Sequence, residues 1–485
     1  MHRKKQNLLV LAVVLLSILV AFTLFDVNYF PNASIAFFYT YLATLVYYVK
    51  PEKTTFHRCL YILIIILSVF LLIRSSPIVV ALDIITILFL GSILSLTGKA
   101  EERLTNLLFS PLLVIVQAVR ENNSLKLKLS KGMSQSTTHT KEKVVETAII
   151  GVVSLVTFVV IGALLGSANQ QLGSFLETLL DMFRLEGILK FIGANLRLDR
   201  LVIAVIFGIM ALKYLSLVHA NKPFLTPHPL LARKLDLRTP LLIASALITL
   251  FFIFQIDSHF ASTASLSKQT NDIFAQLSAV CVIVFVLLIN NKTKDKAYTT
   301  IKTVLYVQLL YLIILALRSD IAYISEWGLT HKRLYGLVVI TWIVGTYGLY
   351  FKHLDRNQSV KKFYEYGIVF TSCLLVVVNI LNFDNLIYKY KPSTHTRPID
   401  HVYLTNLSAD SNFHFEHFQE LKKLDRTDAN LLAQQDEWSF LTNLQAKYMK
   451  PDIRTFNLSE YLQYRKIKDA YLDPKLTTPQ ILRSE

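Results

Sequence analysis

Apolar runs of about 16 to 21 residues return eleven times along the chain, separated by short polar links. They lie at roughly 8 to 25, 34 to 49, 59 to 73, 78 to 97, 147 to 167, 201 to 219, 239 to 256, 275 to 290, 302 to 317, 332 to 351 and 364 to 383. A helix rises about 1.5 Å per residue and the bilayer core is about 30 Å thick, so each run can cross once. Helices do so without orphaned backbone groups. The pattern predicts an all-α polytopic membrane protein of about eleven transmembrane helices, followed by a small helical extracytoplasmic C-terminal unit.

Lysine and arginine sort the links into two sets. With Arg3, Lys4 and Lys5 in the cytoplasm, links 50 to 58, 98 to 146, 220 to 238, 291 to 301 and 352 to 363 share that side, and each holds at least three Lys or Arg. Links 26 to 33, 74 to 77, 257 to 274 and 318 to 331 hold at most one, and the charge-balanced 168 to 200 joins them on the outer side. The positive-inside bias thus places the N-terminus in the cytoplasm and the last 100 residues outside it. The first run is longer than the apolar region of a cleaved signal and ends in Phe25, Asp26 and Val27, so we read it as an uncleaved first span.

Two long links decide the parity of this count. Leu104 to Val119 is apolar but follows Glu101, Glu102 and Arg103 and contains Pro111; it reads as an interfacial helix, with a re-entrant or crossing segment as the alternative. From Phe175 to Ile192, apolar residues recur at helical spacing among charges, the pattern of an amphipathic surface helix. Asn122 to Lys143 is polar and reads as a loop. The resulting division is 1–97, a four-helix membrane segment; 98–146, a cytoplasmic link; 147–384, a seven-helix membrane domain; and 385–485, a soluble helical tail.

Composition agrees: 53% of residues are hydrophobic and 17% charged. The net charge of +16 is dispersed over the links, which argues for bilayer orientation and against nucleic acid. Cys59, Cys281 and Cys373 lie in or beside apolar runs, too far apart for a CxxC pair, and are expected as free buried thiols.

Asp83, inside VVALDIITIL, is the leading candidate for chemistry, because a charge within a span is costly unless paired or hydrated. Its alternatives are a proton or cation relay or a ligand contact, or an Asp paired with Arg74 or hydrogen-bonded to a neighbouring helix. Gln308, Asn379 and Trp342 read as glue between helices or interfacial anchors. Gly162 to Gly166 is a GxxxG step, in itself a weak sign of close packing. His395, His401, His414 and His417 in the tail match no zinc pattern and are expected as solvated surface histidines. Neither a P-loop nor a strand-linked GxGxxG occurs, so no cofactor is expected.

The stretch LALRSDIAYISEWGLTHKRLYGLVVITWIV resembles the bacterial membrane-protein family catalogued as domain of unknown function 4173, with its close relative 4153. The resemblance rests on Arg318, Gly328, Leu329, Thr330, Arg333 and Trp342, on LLGSANQQLGSF from Leu164 and on HVYLTNLSADS from His401. It covers most of residues 147 to 411. Where the family has Asn-Pro-Asp after its last span, this chain has Asn382, Phe383 and Asp384; after SerAlaAsn it has Gln170. The resemblance implies a membrane protein and carries no activity.

From Arg318 to Arg333, the charges Arg318, Asp320, Glu326, Lys332 and Arg333 beside Tyr323 and Trp327 read as a charged collar, Gly328 suits a positive-φ turn, and Thr330 is placed to cap a helix beginning near His331. The link reads either as a well-specified turn or as a recognition surface completed by the tail. The function classes that follow are a structural, signalling or partner-binding envelope protein; a secondary carrier with a polar intramembrane site; and a membrane-embedded transferase. The partners expected are the lipid bilayer and an envelope or membrane protein engaged through the tail.

Overall fold

A computed structural model describes residues 29–49, 53–95, 139–169, 171–176, 236–259, 263–290, 295–355, 360–390, 400–424, 427–449 and 452–471. All regular elements among these residues are helical. Two expected spans, 8 to 25 and 201 to 219, the interfacial helix at Leu104 to Val119 and nearly all of the amphipathic helix after Phe175 lie outside the described residues.

The helices are α1 (Asn32–Val49), α2 (Thr55–Ile73), α3 (Pro77–Ser95), α4 (His139–Ala168), α5 (Arg238–His259), α6 (Thr263–Asn290), α7 (Lys296–Trp327), α8 (His331–Tyr350) and α9 (Val360–Leu381). A second group follows: α10 (Phe383–Lys389), α11 (His401–Thr405), α12 (His414–Leu421), α13 (Asp428–Met449) and α14 (Leu458–Tyr471). Five helical stretches among the described residues are long and apolar enough to cross a membrane: Thr55–Ile73, Pro77–Ser95, Lys296–Ser325, His331–His353 and Lys361–Leu381. Such helices suit an integral membrane protein.

Several boundaries move. The expected link 318 to 331 is helical as far as Trp327, leaving only residues 328–330 as the turn. Charge there lowers the apolar density without breaking the helical period: Leu312, Leu315, Ala316, Ser319 and Ala322 are all buried. Residues 139–143, expected in a polar loop, open α4.

The chain divides into two compact units. The first comprises residues 1–126, 327–334 and 344–485. Its apolar core joins α1, α2, α3 and α9 around Leu60, Ile64, Leu67, Ile87, Leu90 and Ile368. In α2 a capping box sets the start: the Thr54 hydroxyl accepts from the His57 amide, and the Thr54 amide donates to the His57 ring. Pro77 opens α3 at a position where a missing N–H costs nothing. The buried stripe of α3 is Val80, Asp83, Ile87, Leu90 and Leu94, while Ile78, Leu82, Ile85 and Leu88 point outward. An apolar outer face of this kind suits lipid.

At Gly345 of α8 a Cβ would lie 2.1 Å from the Phe370 ring of α9. Gly345→Ala should therefore destabilise the protein by about 1–3 kcal/mol through overpacking. A thermal melt of the detergent-solubilised chain tests this, and Phe370→Leu in the same chain should restore most of the loss.

The second unit comprises residues 127–326 and 335–343. Its α4 packs on α5 and α6. Gln308 of α7 donates to Thr249 and to the Ser245 carbonyl of α5 and accepts from the Ser245 hydroxyl, and so glues two helices together. Gly166 abuts Gly173, where a Cβ would approach the Gly173 Cα to 3.2 Å; the close approach is to the segment that follows α4. The three thiols are free, but only Cys281 is buried; Cys59 is half-buried and Cys373 exposed.

Candidate functional site

Asp83 is fully buried, and its Oδ1 accepts from Asn379 Nδ2 at 2.8 Å. The spacing explains the meeting. Asp83 lies on the buried stripe of α3, and Ile368, Ser372 and Asn379 fall on the buried face of α9. Arg74, where α2 ends, donates to the Asn379 carbonyl and interacts electrostatically with Asp410, Asp384 and Asp83. The hydrogen-bond partner of Asp83 Oδ1 is thus an amide, with Arg74 acting at longer range.

A polar knot in the same unit joins segments remote in sequence. Asp410, in the 3-10 turn Ala409–Ser411, accepts from the Ser75 amide at 2.9 Å and hydroxyl at 3.1 Å through one oxygen, and from the Ser76 amide at 3.1 Å through the other. A carboxylate thereby caps the start of α3 from another part of the chain, where amides lack partners and the helix dipole is positive. Asn457 Nδ2 donates to the Arg74 carbonyl and the Ser459 hydroxyl to that of Ile73. The tail holds the α2–α3 turn by its amides and by its carbonyls.

Asn382 adopts the left-handed region (φ 50°), accepts from the Asn385 amide to cap α10, and donates to the Asp410 carbonyl. Two residues on, buried Asp384 accepts from the ring of His331 and from the Ser408 hydroxyl and amide. The His331 amide donates to the Tyr403 hydroxyl, whose oxygen also meets His331 Nδ1 at 3.2 Å. Burial would raise the Asp384 carboxyl, but hydrogen bonds from His331 and Ser408 outweigh it and hold the group below the usual carboxylate value. A carboxyl lowered by folding adds stability above its unfolded value of about 4, and that stability is lost as pH falls through the lower, folded value. Asp384→Asn should therefore lower the Tm at neutral pH and flatten its fall below pH about 4, seen in melts across pH.

Ser408 leads onward. Its carbonyl faces His414 Nε2 at 3.1 Å; His414 Nδ1 meets Glu437 Oε2 at 2.8 Å; and Glu437 Oε1 meets His417 Nδ1 at 2.7 Å. His417 Nε2 then meets His401 Nδ1 at 3.0 Å. Because a carbonyl can only accept, His414 Nε2 is the donor to Ser408. Burial, followed by the neighbouring His417, pushes the His401 imidazole below its usual value.

These histidines correct the sequence reading. His414, His417 and Glu437 are 0%, 1% and 0% exposed, not solvated. The i, i+3 spacing set both rings on one face of α12, but their acceptor stands 20 residues further on, in α13. Among the described residues no group of His, Cys, Asp or Glu forms a metal-holding cluster.

The other candidates fall into place separately. Gly328 has φ 84° and is buried, as a tight turn requires. Thr330 occupies the N-cap of α8, but its side chain makes no capping bond; its carbonyl takes the Arg333 and Leu334 amides. Arg333 is buried in the first turn of α8. In the second unit Arg318 is exposed and Asp320 buried on α7, and Trp342 is half-buried on α8. Gly328, Thr330 and Arg333 flank His331, the first residue of α8, which reaches the knot through Asp384 and Tyr403. Glu437 escaped the sequence reading, and His331, Asp384 and Ser408 entered it only as neighbours of motif positions.

A family model described as domain of unknown function (DUF4153) matches residues 61–413, a range that includes the resemblance to its relative 4173. No curated protein and no solved structure matches the chain.

Proposed function

The chain belongs to the DUF4153 family, and from that premise we propose a multi-pass protein of the bacterial cytoplasmic membrane that acts as a structural, signalling or partner-binding component of the envelope. In this reading it has about eleven spans, a cytoplasmic N-terminus and an extracytoplasmic tail, divided at 1–97, 98–146, 147–384 and 385–485. The likeness to family 4173 is the finer assignment, carried by Arg318, Gly328, Thr330, Arg333 and Trp342.

One observation carries the topology: stretches assigned to the outer side meet the tail. Ser75 and Ser76 bind Asp410, His331 binds Tyr403, Asp384 binds Ser408, and Tyr29 lies under Lys447 at 5.4 Å. The same contacts favour a structural role. Both oxygens of Asp384, Asp410 and Glu437 are taken by groups of the chain itself, so these three carboxylates hold the fold together.

Single cysteines in a Cys-free background, Ser130→Cys and Asn430→Cys, treated in intact cells with an impermeant thiol reagent, test the topology. Reaction at position 430 alone is expected. Reaction at 130 alone inverts the map, and reaction at both or neither breaks its parity.

A carrier is the second reading, favoured by one fact: Asp83 Oδ2 and Asn379 Oδ1 are buried without hydrogen-bond partners among the described residues. Two such acceptors attract a proton, a cation or water. Modification of Asp83 by a hydrophobic carbodiimide, with protection by added cations, is the result this reading requires; an Asp83 inert at every pH excludes it.

A further inference from the structure

A cleft of about 700 Å³ opens in the first unit between α3 and the tail, within the roughly 300–1,000 Å³ of small-ligand sites. One wall is the first half of α3, through Pro77, Val80, Ala81, Ile84 and Ile85; Phe440 and Leu444 of α13 form the facing wall. Asn32, Asn443, Lys447 and Glu460 supply polar groups to the lining. Lys447 is 8% exposed, and its ammonium pairs with Glu460 at 2.5 Å. Asn32 is 6% exposed, and its Oδ1 has no hydrogen-bond partner among the described residues, so the site holds a buried acceptor in need of a donor.

The apolar wall is continuous with the outer face of α3, because Ile85 belongs to both the cleft and the outward stripe of Ile78, Leu82 and Leu88. A molecule resting on that stripe has an unbroken apolar path into the cleft. We propose that the cleft is a lateral binding site for a phospholipid of the surrounding bilayer. An acyl chain lies along Val80, Ile84 and Ile85, and the headgroup phosphate meets Lys447, whose ammonium has three donors for Glu460 and the ligand. A headgroup hydroxyl or ammonium, as on glycerol or ethanolamine phospholipids, donates to Asn32. The Lys447–Glu460 pair suits such a headgroup, since it offers a carboxylate to a headgroup donor beside the ammonium that meets the phosphate.

This inference rests on the membrane reading, and the experiment separates the two. The full-length protein is reconstituted into phosphatidylethanolamine–phosphatidylglycerol vesicles containing a phospholipid with a photoreactive acyl chain, and labelled peptides are mapped by mass spectrometry. Labelling is expected on the outward stripe of α7, at Val307, Leu310 and Ile314, and also on α13 at Phe440 to Lys447. Ala81→Trp fills the cleft from an exposed position of α3 and should reduce α13 labelling several-fold while leaving α7 unchanged. Lys447→Gln should weaken it in the same sense. Labelled α7 with unlabelled α13, or α13 labelling indifferent to Ala81→Trp, overturns the lipid site and leaves the membrane reading standing. Unlabelled α7 overturns both.

Discussion

Glu437→Ala should loosen the C-terminal helices, at a cost of about 3–5 kcal/mol, the range seen when one member of a buried ionic pair is removed. Glu437 is fully buried and each of its oxygens meets a different imidazole, so its loss leaves His414 and His417 facing a void. His414 keeps the Ser408 carbonyl and His417 keeps His401, but neither contact replaces a carboxylate. Folded proteins are stable by about 5–15 kcal/mol in total, so the tail should open well before the rest. Urea unfolding of the detergent-solubilised full-length chain, followed by limited proteolysis within 401–471, reads this directly. Glu437→Gln should be milder, about 1–2 kcal/mol, since an amide oxygen still accepts from one ring. A parental midpoint for Glu437→Ala would show that the histidines find water or each other as readily.

The second large effect belongs to Asp410→Ala. Three hydrogen bonds from Ser75 and Ser76 end on this carboxylate, and bonds to charged groups contribute about 1.5–3 kcal/mol each before the exposed amides recover water. The helix dipole adds about 0.3–1 kcal/mol. A net loss of about 3–5 kcal/mol is expected, with Asp410→Asn losing about half as much. Amide exchange reports it locally: peptides covering residues 74–80 should exchange faster in Asp410→Ala, while those in the middle of α2 stay protected. Uniform exchange across α2 and α3 would mean that the cap is redundant with the Asn457 and Ser459 contacts.

How far these sites could be read from sequence follows from the range of the interactions that make them. Asp83 was legible because one carboxyl within VVALDIITIL must be accounted for, yet its partner Asn379 lies 296 residues away and nothing local announces it. Gly328 was legible too, since the turn needs a positive φ that glycine supplies cheaply. Thr330 was half right: position set the N-cap, but the hydroxyl depends on a rotamer that local sequence does not fix. The tail histidines failed for a different reason. Polar neighbours in HFEHFQE suggested solvent, whereas burial was decided by α13, whose Glu437 satisfies both rings. The length of α7 was misjudged because a fall in apolar density marks where a membrane ends, and a helix can continue beyond it.

The clamp on the α2–α3 turn also sets a schedule. Ser75 and Asp410 are 335 residues apart, so the amides that open α3 lack their acceptor until most of the chain has left the ribosome. At about 5–20 residues per second that interval is roughly 20 to 70 s, during which the joint end of α2 and α3 is unfinished. The N-terminal helices of this protein are therefore completed last, by residues made near the end of synthesis, and a chain truncated before residue 410 would leave that turn open to whatever surveys incomplete membrane proteins.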